Sequence, residues 1–163
     1  MDKLYTIGVY GTTEDSFFSA LQEHNIDLFC DIRLRRGVRG SKYLYANSTR
    51  LQVLLTEYSI DYLHYKSLAP TKAILDSETV SDKQKKVARR KRTILSDSFT
   101  AAYQKVILSS FDLEDFLEKV GNYKRVCLFC VECLPDACHR SLVANYLQEK
   151  LDIPLEHLTP CQI

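Results

Sequence analysis

The chain has no tryptophan, one methionine, five glycines and four prolines in 163 residues. Turn-formers this sparse leave no low-complexity tract, and no internal repeat is present. No window of apolar residues approaches the length of a bilayer-spanning helix. The opening stretch, MDKLYTIGVYG, lacks a basic segment followed by a long apolar run, so neither a membrane partner nor a signal peptide is expected. Charge of one sign is lacking as well. The 22 Lys and Arg residues face 21 Asp and Glu, a net charge of +1, and bulk charge therefore points to neither nucleic acid nor membrane.

What is present fits an ordinary globular chain, with 45% hydrophobic and 26% charged residues. The length suits one domain, 1–163, able to bury a core without disulfides or a metal. Six cysteines in a chain with no secretion signal are expected to be mostly free thiols in a cytoplasmic protein.

Leu4 to Tyr10 reads as a buried strand closed by Gly11. Thr12 or Thr13 caps a following helix, with Glu14 and Asp15 in its first turn. Further strands are expected at 26–32, 60–65, 125–131 and 155–158, and helices at 49–58, 111–120 and 141–150. The stretch 67–82 has weak pattern and reads as a long connection. Beyond it, KQKKVARRKR (83–92) carries seven basic residues in ten, with helix expected to continue to Leu108. The segment from about 67 to 110 is thus a helical or loop insertion. Strands alternating with helices predict a three-layer α/β fold, a mostly parallel central sheet of about five strands with helices on both faces.

The stretch CLFCVECLPDACHR (127–140) holds four of the six cysteines. Its C-x2-C-x2-C spacing invites a metal reading. Alternation along a strand would, however, turn Cys127 and Cys130 to opposite faces, so no metal and no cofactor are assigned. Cys30 and Cys127 read as small buried hydrophobes. Glu132 stands at the end of the fourth strand, followed by a sharp turn and then by Cys138, His139 and Arg140 at a helix start. Parallel sheets bind ligands beyond the carboxyl ends of their strands, and a helix start favours anions. The other strand ends offer Gly11 and the pair Asp31 and Arg33. A structural ion pair from Glu132 to Arg140 or Arg33 is the bland alternative.

TIGVYG near the start, DIR after the second strand and CVECLPDACHRSLVANYL near the end resemble the domain-of-unknown-function 488 family. That family is recognised by a strand running into C-x-E, a short acidic or proline-bearing turn, then C-H-R and a helix. Cys130, Glu132, Cys138, His139 and Arg140 match that signature; Asp31 and Arg33 match its D-x-R, and LEHL (155–158) its closing strand. The resemblance implies the fold and the site but names no reaction.

Three functional readings follow. In the first, an anion-binding crevice binds or acts on a nucleotide or nucleic acid. Gly11, Asp31, Arg33 and Arg140 would bind, together with the arginines of the 35–39 loop. Glu132, His139 and Cys138 would carry catalysis as base or nucleophile, general acid or base, and nucleophile. Gly8 to Gly11 does not form a dinucleotide-binding G-x-G-x-x-G. In the second, a non-catalytic module binds nucleic acid through the 83–92 run, with Tyr43, Tyr45 and Tyr103 as stacking surfaces. In the third, Cys130, Cys133 or Cys138 form a thiol redox sensor. The oligomeric state is left open.

Overall fold

The structure, a computed structural model, describes residues 1–38 and 40–161. In chain order the elements are β1 (Lys3–Ile7), α1 (Glu14–Glu23), β2 (Leu28–Asp31), α2 (Ser48–Glu57), β3 (Asp61–His64) and α3 (Lys72–Gln84). They continue with α4 (Asp97–Val106), α5 (Leu113–Val120), β4 (Arg125–Phe129), α6 (His139–Leu151) and β5 (Leu155–Leu158). The five strands form one parallel sheet in the order β3-β2-β4-β1-β5. The expected three-layer α/β fold is what the chain adopts.

The period of two along each strand builds the layers. Tyr5, Ile7, Phe29, Cys127 and Phe129 point to one face, where α1 supplies Phe17, Phe18 and Leu21 and α2 supplies Leu51 and Leu55. Leu4, Leu28, Cys30, Val126 and Leu128 point to the other. There they meet Phe99 and Tyr103 of α4, Phe116 of α5 and Val143 and Leu147 of α6. All of these core residues are under one-tenth exposed, so each large side chain contributes roughly 1.5–3 kcal/mol of burial.

One of the two threonines expected to cap the first helix does so, and a second cap stands at the start of the 111–120 helix. Thr13 caps α1, its hydroxyl accepting from the Ser16 amide, while Asp112 caps α5. The connection read at 67–82 is not a loop: most of it is α3, thirteen residues long. Its inner face was illegible because one of its two buried residues is Glu78. The Glu78 carboxylate accepts from the Ser96 amide at 3.2 Å and from the Ser96 hydroxyl, which itself caps α4. The helix expected across the basic run is also absent. α3 ends at Gln84, the chain turns at Lys86, which takes a left-handed φ of 54°, and between there and α4 only a single 3-10 turn forms, at Arg89–Lys91. Together α3 and α4 pack beside the carboxyl end of the sheet. Among the described residues, no helix is long and apolar enough to cross a membrane.

Candidate functional site

β4 lies between β1 and β2, and the strand order reverses there, so its carboxyl end opens at the middle of the sheet edge. A cavity of about 850 Å³ sits at that end. Its floor includes Cys130, Glu132, Cys138 and His139; its walls include Arg33 and Arg35 of one loop, Lys72 and Glu78 of α3, and Arg89, Arg90 and Arg92 of the basic run. Among the described residues, seven cationic and four acidic ones line it.

The imidazole of His139 organises the floor. Its Nε2 lies 3.1 Å from the Ile32 carbonyl oxygen. A carbonyl can only accept, so Nε2 carries the hydrogen, and in the neutral ring Nδ1 keeps its lone pair. That atom faces two sulfurs, Cys130 Sγ at 3.6 Å and Cys138 Sγ at 3.9 Å. All three side chains are buried. Burial opposes ionisation of Cys138, but the Cys130 hydrogen bond together with the neighbouring His139 and Arg140 outweighs it and holds this thiol well below its ordinary value. Cys130 moves the other way, raised by its hydrogen bond to Cys138 and by burial.

Glu132 is buried, and burial lifts its carboxyl above the ordinary value against the pull of Arg89. Its partners are neither Arg140 nor Arg33. Arg89 Nε donates to Oε1 at 2.7 Å, and Arg92 Nη2 stands 3.6 Å from the same oxygen. Arg92 also pairs with Asp82 at 3.0 Å and donates to the Ala137 carbonyl.

Arg140 is fully buried, and its fork is spent on the main chain. Its Nη1 donates to the Glu132 carbonyl, Nη2 to the Cys133 carbonyl at 2.7 Å, and Nε to Thr6 Oγ1 at 3.3 Å. It clamps the 132–133 turn onto β1. Asp31 and Arg33 are equally closed. Their side chains form a bidentate pair, Nε to Oδ1 at 2.9 Å and Nη2 to Oδ2 at 2.7 Å. Tyr62 and the Ala46 carbonyl take the remaining capacity. Gly11, at φ 84°, makes a turn and donates its amide to the Tyr43 hydroxyl, away from the cavity lining. The small residue that matters is Gly8, where a Cβ would lie 1.8 Å from the Glu132 carbonyl oxygen. Close approach here serves the neighbouring turn.

Residues 13–147 match the family model described as "Domain of unknown function DUF488". The chain belongs to the DUF488 family. No curated protein and no solved structure matches it.

Within this DUF488 chain, the residues expected to form one site divide into two groups. Glu132, Cys138 and His139 come together at the cavity floor, joined by Cys130. Arg140 clamps the adjoining 132–133 turn, Asp31 and Arg33 are paired with each other at the wall, and Gly11 lies apart from the cavity. Cys127 stays within β4, fully buried. Since β4 ends at Phe129, strand alternation does not extend to Cys130, which packs in the same cluster as Cys127. Cys133 is bonded to Cys161, with Cα atoms 6.1 Å apart, which withdraws it from the proposed thiol sensor; the other four cysteines are free, as expected for most.

The stacking role for three tyrosines fails on burial. Tyr43, Tyr45 and Tyr103 are each under one-tenth exposed, and the Tyr103 hydroxyl donates to the Leu68 carbonyl at 2.5 Å. The basic run is split. Arg89 and Arg92 turn inward to the cavity, and Arg90 lies over the Tyr10 ring at 4.8 Å, while Lys85, Lys86 and Lys91 stay exposed and outside the lining. The arginines of the 35–39 loop fare unevenly: Arg35 lines the cavity, Arg36 does not, and Arg39 lies outside the described residues. Sequence reasoning missed Glu78 altogether, named Cys130 only in the family signature and the thiol-sensor reading, and had Arg89 and Arg92 only as part of a basic surface rather than as partners of Glu132. A buried Glu132 in need of a cation was the signal for the two arginines, but spacing gave no means of choosing them.

Proposed function

We propose that the crevice binds a phosphate-bearing ligand of nucleotide size and presents it to Glu132 and the Cys130–Cys138–His139 floor. The observation that carries this reading is the cavity itself. About 850 Å³ is the size of a small-molecule site, and among the described residues its lining has three more cationic than acidic ones. Among the described residues no ion pair engages Arg35, Lys72 or Lys83. These three are exposed at the walls, and their charges face an incoming anion. Tyr10, beneath Arg90, supplies a ring at the same wall. A phosphate that draws Arg89 away would leave Glu132 with Arg92 alone, 3.6 Å from the same oxygen, and would favour its protonated form, so binding and the charge of the acid are coupled through one ion pair.

The test is a thermal-shift and calorimetric panel of nucleotides, each beside its phosphate-free nucleoside, at low and high salt. Nucleotides raise the melting temperature and nucleosides do not; the shift weakens with salt and is lost in an Arg35→Ala, Lys72→Ala, Lys83→Ala triple variant. Equal response to nucleoside and nucleotide, or no response at low salt, overturns the reading. Labelled DNA and RNA in the same salt series distinguish a polymer that uses the outer Lys85, Lys86 and Lys91. Loss of polymer binding on neutralising those three, with no mononucleotide response, would replace the small-ligand reading with the nucleic-acid one.

A further inference from the structure

Two sulfurs and one imidazole nitrogen lie within 4.8 Å of one another at the cavity floor, from Cys130, Cys138 and His139. The sequence spacing had suggested a different set, Cys127 with Cys130 and Cys133. The fold breaks that set, leaving Cys127 inside its strand and Cys133 in a disulfide.

The geometry of the new set is specific. Zinc–sulfur bonds of about 2.3 Å and zinc–nitrogen bonds of about 2.0–2.1 Å, at a tetrahedral angle, require N···S edges of about 3.6 Å. The edges found from His139 Nδ1 are 3.6 Å and 3.9 Å. The tautomer is also the one a metal needs, because the Ile32 carbonyl takes the Nε2 hydrogen and leaves the Nδ1 lone pair facing the sulfurs. Two thiolates would neutralise a divalent ion in this buried place. A fourth protein ligand is not supplied by Glu132, whose carboxylate is held by Arg89. The open side of the trio is instead the cavity.

We propose that Cys130, Cys138 and His139 form a three-ligand site for a thiophilic divalent transition metal of the zinc class, with the fourth coordination position open to the cavity. Three protein ligands and one open position are the arrangement of a metal that binds water or substrate, whereas four closed ligands would mark a structural site. The inference stands independently of the phosphate reading above, since it needs only the trio and an entry path.

The experiment uses the full chain, stripped with chelator, and cobalt(II) as the probe. One equivalent per chain is expected to produce a thiolate-to-cobalt charge-transfer band and tetrahedral d–d bands. One equivalent of zinc(II) then displaces the cobalt, raises the melting temperature and protects Cys130 and Cys138 from alkylation, as read by peptide mass mapping. Cys138→Ser and His139→Gln lose the bands, while Cys127→Ala, a core thiol outside the trio, keeps them. The alkylation readout is made on the unaltered chain and so holds even where a variant fails to fold. No charge-transfer band, no protection by zinc, or a full cobalt spectrum retained in a folded Cys138→Ser variant would each overturn the site. A Cys130–Cys138 disulfide found in the chain as purified would do the same and would assign the pair to redox chemistry. No nucleotide is present in these measurements, so their outcome is separate from that of the nucleotide panel.

Discussion

Replacing Arg140 by alanine should cost the fold far more than a surface arginine ever does. The side chain is fully buried, and it donates to the Glu132 and Cys133 carbonyls. Hydrogen bonds from a charged donor are worth about 1.5–3 kcal/mol each, and the deserted carbonyls remain in a place with little water. Two such bonds set an expected loss of about 3–6 kcal/mol, a large part of the roughly 5–15 kcal/mol that holds a domain together. For a chain of this size the melting temperature should fall by at least about 6 °C. Arg140→Lys keeps the charge but has one donor nitrogen in place of a planar fork and cannot span both carbonyls, so it should recover about half of the loss. Urea denaturation followed by circular dichroism measures both variants. If Arg140→Ala unfolds at the native midpoint yet loses ligand, the guanidinium belongs to the binding surface and the clamp described here is wrong.

Gly8→Ala should destabilise by about 3 kcal/mol, because its methyl meets the Glu132 carbonyl oxygen and backbone must move; a midpoint within experimental error of the native chain would show that the turn yields freely. Glu78→Ala removes the acceptor for the Ser96 amide and hydroxyl at a cost of about 3 kcal/mol, and hydrogen exchange should quicken across 72–96 while the sheet stays protected; uniform quickening would contradict a local role. His157 should add an acid-side slope to stability. Its Nδ1 lies 2.8 Å from the Thr6 hydroxyl oxygen, which accepts from Arg140 Nε. Burial and then the Arg140 charge hold its pKa below 6.5, with Asp136 pulling the other way. Stability is therefore complete above that value and declines as pH falls below it, where the unfolded chain takes the proton first. His157→Gln should flatten that decline in pH-resolved urea melts, and an unchanged slope would locate the titration elsewhere.

How far the sequence could be read follows from the kind of signal each part carries. The strand stretches LYTI, LFC and VCLF are mostly apolar and buried on both faces, and such runs survive any reading. Caps such as Thr13 and Asp112 act over three residues and are equally plain. α3 was hard to read because one of its two buried residues is charged: among the described residues Glu78 is satisfied by Ser96 and Arg92, both supplied by a later part of the chain. At the site, residues close in sequence were easy to bring together, as with Cys138 and His139. Their functional division was not legible, because whether an arginine clamps a turn or meets a ligand depends on which carbonyls fold beside it. Arg140 and Arg89 look alike in sequence; one is buried against main chain and the other spans to Glu132 across 43 residues.

The bond between Cys133 and Cys161 has a chemical meaning for its neighbours. Cys133 lies three residues after Cys130 and five before Cys138, so an untethered thiol there would be a third contender within one short turn. Committing it to a partner 28 residues away uses the end of the chain as a protecting group, in the synthetic chemist's sense. What remains at the floor is one pair of thiols with no ambiguity of pairing. A chain shortened before Cys161 would lose that selectivity first: scrambled bonds among Cys130, Cys133 and Cys138 should accumulate on air exposure, even where the sheet itself is intact.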